Sequence, residues 1–112
     1  MQLIDYHSEK ILIPNLELAQ TVWQRFRGLM LRKTFPEGFG ILLNPCSSVH
    51  TMFMVVPIDI YFIDQDGVIV DLRKKVRPWS IVLPKGQARM VLEVPNATEG
   101  FSLGTKVVMQ RE

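Results

Sequence analysis

Cys46, His50, Met52 and Met54 stand two or four positions apart in the middle of this sequence. On a regular strand they share parity, so one face would carry a thiol, an imidazole and two thioethers. That donor set suits a soft ion such as Cu(I). The competing reading is a core strand, because Met and Cys fill apolar interiors well. Cys46 and His50 also suggest a nucleophile and its base, which must sit within hydrogen-bond reach. Four positions along an extended chain span roughly 13 Å, so a regular strand keeps that pair apart.

Asp59 and Glu93 lie inside otherwise apolar strands, and Arg25 lies beside the apolar face of the predicted helix. Arg25 can anchor a carboxylate or phosphate through its planar fork. It can equally neutralise Asp59 or Glu93 inside the fold, and the sequence leaves both open. A carboxylate facing a core must be paired or hydrogen-bonded. Alternation puts Glu93 with Val91 and opposite Leu92 and Val94, which leaves both faces apolar. A pocket with apolar walls and a few convergent polar groups is the default binding site. The residues expected to form one are Arg25, His50, Thr51, Asp59 and Glu93, walled by Phe53, Met54 and Trp79. His50 would be the group best able to change charge near neutral pH.

The run Arg73-Lys74-Lys75, then Arg77 and Trp79, resembles a short basic patch with a stacking ring. The formal net charge of +2 is too small to call for a polyanion, so no nucleic-acid partner is expected. No Gly-rich phosphate loop, His-Glu-x-x-His or CxxC is present, and no cofactor is implied. One Cys excludes an internal disulfide framework and a four-thiolate zinc site. No apolar run approaches about 18 residues and no signal-like start is seen, so a soluble cytoplasmic protein without a membrane partner is expected.

These side chains must be positioned by short elements. The 112 residues fit one domain, 1–112. Runs rich in Val, Ile, Phe and Tyr predict strands over residues 49–56 and 58–63, with Pro57 marking a bend between them. Asp64-Gln65-Asp66-Gly67 predicts a tight turn, and residues 68–72 return as the hairpin partner. Further strands are predicted at 11–13, 39–43, 80–83, 88–94 and 106–109, with 88–94 central and 16–19 extending the sheet of 11–13. Turns fall at Pro84-Lys85-Gly86 and at residues 101–104. Thr21-x-x-Gln24 fits a capping box, which predicts a helix over residues 21–30. Val22, Trp23, Phe26, Leu29 and Met30 lie at helical spacing and predict one apolar face, with Trp23 and Phe26 packed onto the sheet. The fold class expected is mainly β: an antiparallel sandwich or jelly-roll-like barrel with one principal short helix.

Several pieces together resemble a family. Arg25-Phe26-Arg27-Gly28-Leu29-Met30 is similar to an Arg-x-x-Gly-Leu-Met signature, and Pro57-Ile58-Asp59 through Gly67 to a Pro-Leu-Asp…Asp-x-x-Gly signature. Val91-Leu92-Glu93-Val94 is similar to its Leu-Glu strand. The family is the bacterial and archaeal domain of unknown function 192. Cys46-Ser47-Ser48-Val49-His50-Thr51 resembles one of its subgroups. Phe53-Met54-Val55-Val56 stands where many members carry Trp-Met-Lys-Asn. Pro95-Asn96-Ala97-Thr98 lacks the usual Gly, and Gly104-Thr105 replaces a Gly-Asp pair. The resemblance implies a compact, mainly β fold and no activity.

The function expected is a non-catalytic binding module, with a cleft between helix and sheet for a small ligand or a peptide. An enzyme using His50, Asp59, Glu93 and Arg25 for acid–base chemistry is the alternative. Soft-metal binding through Cys46, His50, Met52 and Met54 is a weaker one.

Overall fold

The computed structural model describes residues 1–84, 86–96 and 101–111. Its centre is a five-stranded sheet in the order β3-β4-β9-β6-β7. The strands are β3 (Asn15–Ala19), β4 (Phe39–Leu43), β6 (Ile58–Ile63), β7 (Ile69–Val76) and β9 (Met90–Val94). β4 and β6 coincide with the two densest apolar runs, and both are buried at every position. Their partners lie on both sides, so neither strand has an edge to leave in water. β9 is central, as its apolar run predicts. The β6–β7 hairpin closes at Asp64–Gly67, where the Gly67 amide donates to the Asp64 carbonyl and Gly67 sits at φ 84°. A Cβ there would lie 2.7 Å from the Val107 carbonyl oxygen, so only Gly fits.

Alternation divides this sheet into two buried faces. Leu42, Tyr61, Ile63, Leu92 and Val94 point one way, onto a second sheet of β1 (Gln2–Asp5), β2 (Ile11–Ile13) and β10 (Val107–Gln110). Ile41, Leu43, Ile60, Phe62 and Val91 point the other way. That face is covered by Leu29, by Met54 and by a two-stranded ribbon of β5 (Val49–His50) and β8 (Ile81–Val82). The layers stack as open sheets, sandwich-like and not closed into a barrel. No helix of the described residues is long and apolar enough to cross a membrane.

β3 does not extend the sheet of β2. Pro14 separates them, and β3 pairs in parallel with β4, Asn15 opposite Phe39 and Ala19 opposite Leu43. The turn predicted at Pro84-Lys85-Gly86 depends on Lys85, which lies outside the described residues, as do Ala97 and Thr98.

The helix α1 spans Val22–Arg27. Thr21 caps it as the sequence predicts: its hydroxyl accepts from the Gln24 amide, and the Gln24 side chain accepts from the Thr21 amide. Gly28 ends it at φ 46°, with its amide still donating to the Gln24 carbonyl. The predicted burial of Trp23 and Phe26 is overturned: they are 63% and 53% exposed, and α1 has no buried residue. Six residues make under two turns, and only Leu29, just past the cap, reaches the core. The strand predicted over residues 49–56 stops at His50. Beyond it the backbone turns at Met52 and Phe53, with Phe53 at φ 61°. Leu31 and Trp79 are also at positive φ, 64° and 65°. Each such conformation costs a bulky residue roughly 1–3 kcal/mol.

Candidate functional site

A cleft of about 340 Å³ opens between the end of α1, the β5–β8 ribbon and the five-stranded sheet. Glu93 reaches it from β9, the middle of that sheet. Its register neighbours are Ile41 on β4 and Ile60 on β6, and the residue is 2% exposed. Oε1 has no hydrogen-bond partner among the described residues. Desolvation therefore pushes the carboxyl up to about 8, so it is mostly protonated at neutral pH. Gly28 faces it directly: a Cβ there would lie 2.9 Å from Glu93 Oε1.

Arg25, His50 and Cys46 line the same cleft. Arg25 makes no ion pair with Glu93 or Asp59 among the described residues, so the structural pairing left open by the sequence is not made. His50 Nδ1 accepts from the Met52 amide at 3.2 Å, and Nε2 lies 3.1 Å from the Phe26 carbonyl oxygen. The tautomer that satisfies both carries its proton on Nε2. His50 thus straps the end of α1 to β5 and has no nitrogen left for a metal. The Cys46 thiol donates to the Ser48 carbonyl at 3.0 Å. Burial pushes it above the usual thiol range, against the Ser48 hydrogen bond and the weaker pull of Arg25, which makes it a poor nucleophile. Met54 is buried in the wall, whereas Met52 lies on the turn and outside the cleft. The shared parity of the four soft donors is lost with the strand.

Four of the eight expected site residues lie elsewhere. Thr51 is fully buried, donates to the Arg77 carbonyl at 2.6 Å and accepts from the Ser80 amide at 2.8 Å. Phe53 and Trp79 pack on each other, with centroids 4.7 Å apart, outside the cleft. Asp59 shares parity with Tyr61 and Ile63, so it points to the face opposite Glu93. There it accepts from the Lys75 amide at 2.8 Å and pairs with Lys74 at 3.5 Å. The acid–base set of His50, Asp59, Glu93 and Arg25 therefore does not converge. Gly28, Leu29, Leu43, Val49 and Ile81 also line the cleft. Of these, Gly28 and Leu29 stand in the Arg-x-x-Gly-Leu-Met signature, the one sequence signal that pointed to them.

Fold and cleft define a small, mainly β protein, sandwich-like, with a capped helix over a buried acid. The chain belongs to the DUF192 family, whose model, described as Uncharacterized ACR, matches residues 4–108. A UPF0127 protein of Thermococcus sibiricus is 35% identical over 97 residues, 83% of this chain and 62% of that protein. One from Pyrococcus horikoshii is 32% identical over 85 residues, 71% of each. The chain thus spans under two thirds of the length of its Thermococcus relatives. A protein of unknown function from Novosphingobium aromaticivorans has the same fold, with a TM-score of 0.81, 21% identity, and 97% and 84% of the two chains covered. A protein described as a putative transcription regulator from Sinorhizobium meliloti gives 0.80 at 27% identity, over 96% and 89%.

Proposed function

We propose that this protein is a non-catalytic binding module whose cleft takes a small ligand or a peptide side chain against Glu93. The observation behind this reading is Glu93 Oε1, buried and without a hydrogen-bond partner among the described residues. A buried polar atom without a partner is rare and costly, and a ligand group that hydrogen-bonds it would remove the cost. The walls are apolar, from Phe26, Leu29, Leu43, Val49 and Met54, and Arg25 offers a charged contact beside them. Cys46, Ser48, Val49 and His50 supply one wall, and we read the segment that carries them as the mark of a subgroup sharing this cleft. Acid–base catalysis is the second reading, supported by a carboxyl raised to about 8, close to the working pH of a general acid. It lacks a second group, since His50 is tied and Cys46 is a donor.

The test is a backbone-amide NMR titration with small amides, carboxylates and alcohols, on wild type and Glu93→Leu. Fragments should shift the resonances of Gly28, Leu29 and Val49 in wild type. Glu93→Leu should be at least as stable as wild type, because an apolar side chain replaces a lone buried acid, yet lose those shifts. Fragments that leave the cleft resonances unmoved in wild type would refute the reading.

A further inference from the structure

The cleft opens within a broad exposed apolar surface. On its helix side, Trp23 and Phe26 stack with centroids 5.9 Å apart, beside Val22 at 76% exposure. On its ribbon side, Ile81 is 69% exposed and pairs with His50 across the strands. Leu31, Phe53 and Trp79 continue this surface, each exposed and each at positive φ. The Leu31 amide donates to the Phe53 carbonyl, and the Trp79 amide to the Thr51 carbonyl, which holds the three in place. Bulky residues avoid this conformation, so a local bend that turns them outward is a built feature. Exposed apolar side chains gathered around a cleft mark a contact site.

Charge is segregated onto the same segments. Residues 20–35, 45–58 and 73–83 hold eight of the 13 Lys and Arg of the chain and no Asp or Glu. Arg32, Arg73 and Lys74 are taken up by Glu17, Asp71 and Asp59. Arg25, Arg27, Lys33 and Arg77 have no carboxylate in ion-pair range among the described residues. Arg25 and Arg27 line the cleft itself, so the small net charge of the whole chain conceals a local excess of cations there.

We propose that this face docks an acidic amphipathic segment of a partner protein, with one apolar side chain of that segment entering the cleft. The proposal rests on the reading of the cleft as a binding site. An acidic segment complements the free cations, and its apolar stripe covers the exposed rings. The concavity favours a peptide over a bilayer, because a side chain can enter a cleft of about 340 Å³ and a lipid surface spans it. The aliphatic share of the surface, Val22, Leu31 and Ile81, offers contacts that apolar peptide side chains use and stacked bases do not, which favours a peptide over single-stranded nucleic acid.

The probe is a synthetic amphipathic helix of leucine and glutamate, followed by Trp fluorescence and amide shifts. Its lysine counterpart, phosphatidylserine vesicles and oligo(dT) serve as alternatives. The acidic peptide should bind, and the other three should not. Its affinity should fall with added salt and by about tenfold in Arg27→Glu, ~1.4 kcal/mol. Trp23→Ala, at an exposed position, should weaken binding while the melting temperature stays unchanged. Preference for vesicles or oligo(dT), equal binding of the lysine peptide, or no peptide binding overturns the proposal. Fragment shifts at Gly28 and Val49 alongside a failed peptide titration would sink this inference alone and leave the cleft reading standing.

Discussion

Gly28 and Glu93 are fitted to each other. Gly28 closes α1 with φ 46° and ψ −121°, and the space that a side chain would occupy there is taken by Glu93 Oε1, 2.9 Å from an ideal Cβ. The helix end can approach the buried acid only because Gly28 has no Cβ. Gly28→Ala meets both an unfavourable backbone conformation and a close contact, so it should destabilise by about 1–3 kcal/mol. Glu93→Ala removes the contact but leaves the backbone cost. In a double-mutant cycle read from denaturant midpoints, Gly28→Ala should therefore cost less on the Glu93→Ala background. Equal costs on both backgrounds would show that the two residues do not press on each other.

Glu93 should make stability fall as pH rises. Its folded-state value, about 8, lies above the ordinary 4.5, so the fold holds a proton that the unfolded chain releases. The stabilisation is complete below 4.5, is lost progressively as pH climbs, and is gone above about 8. Glu93→Gln carries a permanently neutral amide and should lack this slope. Urea midpoints measured across the window should show wild type losing up to about 1.4 kcal/mol per pH unit relative to Glu93→Gln. Parallel profiles would mean that Glu93 is already ionised in the fold.

The helix face and the residue beyond it should differ sharply. Leu29 is 1% exposed, so Leu29→Ala should cost about 2–5 kcal/mol. Phe26 is half exposed, and Phe26→Ala should cost no more than about 1 kcal/mol. Thermal denaturation of the two variants measures this. A Phe26→Ala loss as large as that of Leu29→Ala would place the ring in the core.

Thr51 fixes the outward-turned aromatics through its hydroxyl. Thr51→Val leaves the Ser80 amide and the Arg77 carbonyl without that partner, at a cost of about 1–3 kcal/mol. It should also loosen the Phe53–Trp79 pair, read as a weaker near-ultraviolet circular dichroism signal and altered Trp79 fluorescence. An unchanged aromatic signal would show that the pair holds itself.

The strands with the densest apolar runs were legible because burial on both faces leaves a continuous signature, as in Phe39–Leu43 and Ile58–Ile63. The Asp64–Gly67 turn and the Thr21–Gln24 cap were legible because their chemistry is local. The parallel pairing of β3 with β4 was not, since it joins segments separated by the whole of α1. Helical periodicity found the apolar stripe of Trp23 and Phe26 but not what covers it. Asp59 and Glu93 look alike in sequence, each an acid within an apolar strand. Only the pairing register, Asp59 beside Val94 and Ile60 beside Glu93, puts them on opposite faces. Half the expected cleft, Thr51, Phe53, Asp59 and Trp79, was misplaced for that reason and because the strand after Val49 breaks at Met52.

The second sheet pairs the first strand with the last, Gln2 opposite Gln110. Nearly the whole domain must therefore leave the ribosome before this sheet can form, and its closure joins residues far apart in sequence. The same pairing brings the two ends to one corner of the molecule. Additional polypeptide at either end would leave side by side, so the domain could be inserted into a host loop as a unit, or permuted by joining its ends, without disturbing the cleft on the other side of the central sheet.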